Sequence, residues 1–276
     1  MRRAVLLVAL LATLATQGAL TGAAQPQPEP QGQLLLPSNP PDISPQCVVA
    51  GATSPAVTPL PNTAKALKSR NVIRILAIGA SPNSMLGTRS GAGSPLLEQI
   101  LERAIKGLDV EIINRGVSGE LAEAAAARLK VEVAMEHPDL VLWQVGTNDA
   151  FARVPLEDFQ ATVTDMVQWL KQHNVDVILI GLHYLKQLAK DPYYQSIRMG
   201  LRRIATNESV LRVNRYEAME ILSQVQNGNR PPDPDEFGNP ERGYDCLAQY
   251  LARAISVGLY AKPAKANPSE PPKKAP

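Results

Sequence analysis

Four short runs of Val, Ile and Leu, at residues 72–78, 110–113, 140–145 and 175–180, alternate with segments long enough to be helices. Each run is apolar at nearly every position, the pattern of strands covered on both faces rather than on one. A weaker fifth run lies at 210–213. Between and after the runs, residues 95–105, 120–136, 156–173, 194–205, 216–225 and 243–260 read as helices. In the third of these, Leu156, Phe159, Val163, Met166, Val167 and Leu170 form one apolar stripe at helical spacing. Strand–helix alternation with short connections predicts an α/β fold, a three-layer sandwich around a five-stranded parallel sheet. A flavodoxin-like strand order of 2-1-3-4-5 is the expectation. In open sheets of this class ligands gather beyond the carboxyl ends of the strands. Ser81, Gly116 and Asn148 each follow such an end, so all three are candidates for one crevice.

The flanks have a different character. Residues 1–24 begin Met1-Arg2-Arg3, continue with an apolar run and end in small residues, the form of a secretory signal peptide. The alternative, an uncleaved anchor, falls short of the roughly 20 apolar residues a spanning helix needs. Export to the periplasm or medium is therefore expected, with no membrane span after cleavage. Residues 25–62 form a Pro/Gln-rich arm and 262–276 a Pro/Lys tail, both too poor in core-forming residues to fold alone. This leaves 63–261 as one domain. The formal charge of +2 belongs to the flanks. Arg2 and Arg3 carry two of the positive charges, and the tail sets Lys262, Lys265, Lys273 and Lys274 against Glu270, so residues 25–261 are net −3. That balance argues against a nucleic-acid partner. The only cysteines, Cys47 and Cys246, suit a disulfide in an oxidising compartment. No cofactor or metal motif is evident. Gly87, Gly91 and Gly93 lack the lysine and hydroxyl residue of a phosphate-binding loop, and no His, Cys or carboxylate spacing suggests a metal site.

Three of the strand-ending segments carry a further pattern: Gly79-Ala80-Ser81, Asn114-Arg115-Gly116 and Gly146-Thr147-Asn148-Asp149. In that order they resemble the SGNH/GDSL hydrolase superfamily. The resemblance implies Ser81 as nucleophile, with the Gly116 amide and the Asn148 side chain as donors to an oxyanion. Taken alone, each residue has a plainer reading: a loop serine, a strand-ending glycine, a helix-capping asparagine. Asp149 is expected to hold the loop rather than to react. The fourth block of the family, D-x-x-H before a Gly-Tyr pair, is matched by Asp235 and by Gly243-Tyr244, but Gly238 occupies the histidine position. Asp235 then has no imidazole to orient. Of the three histidines, His137 and His173 precede strands and fall at the wrong end of the sheet. His183 follows a strand and is the one candidate for a substitute base. The expected function is ester hydrolysis on a small-molecule or glycan ester with an impaired base. The alternatives are an inactive relative that binds an acylated envelope glycan or peptide, and an acyltransferase.

Overall fold

The structure is a computed structural model and describes residues 40–48, 57–79, 95–226 and 240–261. The proposed signal peptide, most of the arm, the 87–93 glycines and the tail lie outside the described residues, as do Ser81, Asp235 and Gly238.

Five parallel strands stand in the order β2-β1-β3-β4-β5. They are β1 (Val72–Gly79), β2 (Asp109–Asn114), β3 (Leu140–Gln144), β4 (Asp176–Ile180) and β5 (Leu211–Val213). The expected 2-1-3-4-5 sheet is thus the one observed. Successive side chains of a strand point to opposite faces, and both faces here are buried. Leu76, Ile78, Val141, Trp143, Val177 and Leu179 enter one core. Ile73, Ile75, Ala77, Leu140, Leu142 and Ile178 enter the other. This two-sided burial is why the strands read as unbroken apolar runs.

The first core is closed by α3 (Ala122–Glu136), α5 (Leu156–Gln172) and α6 (Pro192–Asn207). On α5, Phe159, Val163, Met166, Val167 and Leu170 of the predicted stripe are buried, and Leu156 at its start is half-buried against the same core. The second core is closed by α1 (Pro61–Arg70), α2 (Leu96–Ala104) and α8 (Pro240–Tyr260). A one-turn helix, α4 (Thr147–Phe151), follows β3, and α7 (Arg215–Gln226) follows β5.

Helix α1 was not expected, and it begins two residues before the domain boundary read from composition. Only Thr63, Ala66 and Leu67 of its side chains are buried, so its apolar periodicity is weak. Its start is fixed from far away. The Asp176 carboxylate, at the start of β4, accepts from Thr63 N (2.8 Å), Thr63 Oγ1 (2.8 Å) and Asn62 Nδ2 (3.0 Å). A carboxylate at a helix N-terminus satisfies its free N–H groups and opposes the positive end of the dipole.

Residues 40–48, from the stretch read as an arm, pack on α8. Cys47 and Cys246 form the expected disulfide, with Cα atoms 5.2 Å apart and a sequence separation of 199. Tyr250 Oη donates to Cys47 O, Ser44 N to Gln249 Oε1 (2.7 Å) and Arg253 Nη1 to Pro41 O (3.0 Å). Closing so long a loop is worth about 4–5 kcal/mol in the chain-entropy picture. No helix of the described residues is long and apolar enough to cross a membrane.

Candidate functional site

Strand register brings the candidate segments together. Ala77 stands opposite Asn114, Gly79 opposite Gln144, and Gln144 opposite Ile180. The carboxyl ends of four strands therefore form one row, and the chain leaves them at residues 80, 115, 145 and 181. Beyond the ladder, Arg115 N donates to Ala77 O (2.8 Å) and Val117 N to Gly79 O (3.0 Å). Those bonds bind the segment carrying Gly116 to the end of β1, two residues before Ser81.

Gly79 is needed where it stands. Its φ is +116°, and a Cβ there would lie 2.0 Å from the backbone oxygen of Gln144. Only a residue without a side chain lets β1 approach β3 so closely while turning into the next segment. Gly146, with φ of +104°, makes the corresponding turn out of β3.

Asp149 is 1 % exposed. Its Oδ1 accepts from Ala122 N (2.8 Å) and its Oδ2 from Gly146 N (3.2 Å). Burial pushes its carboxyl up from the ordinary range, against the pull of those donors. The residue ties α3 to α4, the structural role read for it from sequence. Asn148 lies in α4 rather than at its cap, and its Nδ2 donates to Glu120 O (3.0 Å). A primary amide carries two N–H bonds, and this contact uses one of them.

The 115–120 loop is held by charge. Arg128 donates to both carboxylate oxygens of Glu120 (2.7 and 3.0 Å) and to Arg115 O (2.7 Å). Arg115 in turn pairs with Glu132 and Glu136 at 3.1 and 2.6 Å. The Gly116 amide donates to Asn114 Oδ1 at 3.1 Å. Sequence alone treats that amide as an open donor; here an oxyanion would compete with the Asn114 side chain for it.

His183 is on the carboxyl side of β4, as its position predicts. Its Nε2 lies 3.2 Å from Gln144 Nε2. The amide nitrogen can only donate, so in this contact the ring accepts through Nε2, and the neutral imidazole carries its proton on Nδ1. Its backbone is held at both ends, His183 N donating to Thr147 Oγ1 (3.2 Å) and Tyr194 Oη to His183 O (2.7 Å). Burial, with the Arg215 charge adding to it, pushes the imidazole down to about 2. A base of that strength with its lone pair already engaged is poorly suited to take a serine proton. His173, by contrast, stacks on Trp169 at the opposite end of the sheet.

Beside this row is a pocket of about 370 Å³ lined by Thr147, Phe151, His183, Leu185, Gln187 and Leu188. Its walls are apolar and its volume suits a small ligand. Among the described residues no cluster of three or more His, Cys, Asp or Glu could hold a metal ion.

A model of the non-GDSL lipase-like family matches residues 46–260. Esterase TesA of Pseudomonas aeruginosa is 29 % identical over 109 residues, 39 % of this chain and 53 % of that protein. The arylesterase of Vibrio mimicus is 30 % identical over 76 residues, 28 % of this chain and 38 % of that protein. The chain thus spans about half the length, or less, of these curated relatives. Among solved structures, Axe2, an acetylxylan esterase from Geobacillus stearothermophilus, superposes with a TM-score of 0.53 at 21 % identity, covering 66 % of this chain and 94 % of that one. At that identity the likeness is one of fold.

Proposed function

The chain belongs to the non-GDSL lipase-like family, within the SGNH/GDSL hydrolase superfamily, and on that premise we propose that it is an exported hydrolase of carboxylic esters. Ser81 is the nucleophile. The Asn148 amide and the Gly116 N–H receive the developing oxyanion. The observation that supports this reading is the row of strand ends, in which Asn114 stands opposite Ala77 and Gln144 opposite Gly79, with Asn148 anchored on Glu120 O in the helix that follows β3. The names of the similar proteins agree with it, being an esterase, an arylesterase and an acetylxylan esterase. A short acyl or alkyl group fits the apolar pocket beside Thr147 and His183, so small-molecule or glycan esters are the substrate class.

The general base is the weak point of the machinery. Gly238 offers no side chain, and His183 is held neutral and occupied. A positioned base supplies about 10²–10⁴ in rate, while a serine site lacking one triad member keeps roughly 10³–10⁴ over water. Turnover is therefore slow and best seen with activated esters. Purified protein should hydrolyse p-nitrophenyl acetate faster than Ser81→Ala; equal rates would remove Ser81 from the chemistry. Gly238 also favours a second reading, an inactive relative that binds an acylated glycan or peptide in the same crevice. Gly238→His separates the two. A large gain in rate supports a site complete except for its base, and no gain supports the binding role.

A further inference from the structure

Arg215 opens α7, immediately past the carboxyl end of β5, and is 2 % exposed. Neither of its Nη atoms has a hydrogen-bond partner among the described residues. The neighbouring cations are provided for differently. Arg198 and Arg212 both reach Glu217, at 3.0 and 3.4 Å, and Arg198 also lies over the Tyr216 ring. Both ion pairs use Glu217 Oε1 and leave Oε2, among the described residues, without a hydrogen-bond partner. Glu217 is nevertheless not among the groups whose charge couples to Arg215, which among the described residues are Tyr194, Tyr244 and His183. Tyr194 and His183 supply no negative charge at neutral pH: the Tyr194 hydroxyl is pushed up to about 12 by burial, and His183 is neutral. Burial pushes the guanidinium down to about 10, which still leaves it charged.

A lone charge removed from water is costly unless an opposite charge meets it. Arg215 stands at the N-terminus of a twelve-residue helix, where the backbone adds positive potential. A cavity of about 10 Å³ touches it, bounded by Met219, Gly243 and Tyr250 among others. That is the room of one water-sized oxygen. The Arg215 charge also acts on His183, which lines the larger apolar pocket.

We propose that Arg215 receives an anionic oxygen, from a carboxylate or a phosphate, carried by the ester substrate, so that acidic esters are preferred over neutral ones. This inference rests on the ester-hydrolase reading for its substrate but not for its binding site, and the two can fail separately. In the kinetic arm, kcat/KM is measured for p-nitrophenyl hemisuccinate and p-nitrophenyl butyrate with the full mature chain and with Arg215→Met. The acid-to-neutral ratio is expected to fall at least tenfold in the variant. An unchanged ratio overturns the proposal. In the binding arm, Tm is measured with no added anion, with succinate and with inorganic phosphate. The unsubstituted protein should gain about 3–6 °C at an anion concentration ten times its dissociation constant, and Arg215→Met should gain nothing. The better of the two anions identifies the charged group. Without anion the variant should melt no lower than the parent, because a lone buried charge has been removed. A large drop in its Tm would mean that Arg215 is already paired within the chain, and would overturn the proposal. If neither ester is cleaved, the hydrolase reading fails while the melting data still decide the anion site.

Discussion

Acidification should destabilise this protein through His183 by an amount that the site itself fixes. The unfolded imidazole titrates near 6.5, whereas burial and the Arg215 charge push the folded one down to about 2. A depressed folded value means the stabilising contribution is complete above the unfolded value and is lost as pH falls below it. Between pH 7 and pH 5 the unfolded chain takes up about 0.7 of a proton that the folded chain refuses. The linkage relation turns that into about 2 kcal/mol of lost stability, and any folded value below about 4 gives the same figure. The comparison is His183→Gln, which keeps an acceptor for Gln144 Nε2 and removes the titration. Urea unfolding of both proteins at pH 7 and pH 5, with unchanged m-values, cancels the carboxylates they share. The unsubstituted protein should lose about 2 kcal/mol more than the variant over this range. Equal losses would show that His183 protonates freely in the folded state, and the argument against it as a substitute base would fall.

Two further substitutions test how the crevice is built. Gly79→Ala places a Cβ against the Gln144 backbone at a φ of +116°, and strain together with overpacking should cost about 3–5 kcal/mol. Urea melts read it, and a loss under 1 kcal/mol would mean that β1 and β3 can part at little expense. Asp149→Ala leaves the Ala122 and Gly146 N–H groups without their acceptor. At about 1–3 kcal/mol for each unmet donor, less the relief of no longer burying a carboxylate, the net loss should be about 2–4 kcal/mol. A neutral result would deny that Asp149 ties α3 to α4.

The sheet was legible because both of its faces are buried: strands with alternate residues in two cores leave nearly continuous apolar runs. Strand order and the disulfide followed from the same pattern and from the even cysteine count. Helix α1 was not legible, because its capping group is Asp176, 113 residues away from Thr63, and no local signal replaces it. Pro61 at its first turn was the one clue. Helix α4 is a single turn, too short to show periodicity. The sequence put His183 at the correct end of the sheet but said nothing of Gln144, which takes up its lone pair. The anchoring of Asn148 on Glu120 O was not readable either. Arg215 carried no mark in the sequence at all, since only packing shows that an arginine is buried without a partner. Ser81, Asp235 and Gly238 lie outside the described residues, and their roles stand as proposals.

The claim on which the rest depends is that Ser81 is a reactive nucleophile facing oxyanion donors. Incubation of the folded protein with a fluorophosphonate, followed by intact mass and peptide mapping, tests it without any assumption about the substrate. The account predicts one adduct, on the peptide containing Ser81, formed slowly, lost after heat denaturation and absent in Ser81→Ala. No adduct after prolonged exposure, or an adduct that persists in Ser81→Ala, would contradict it.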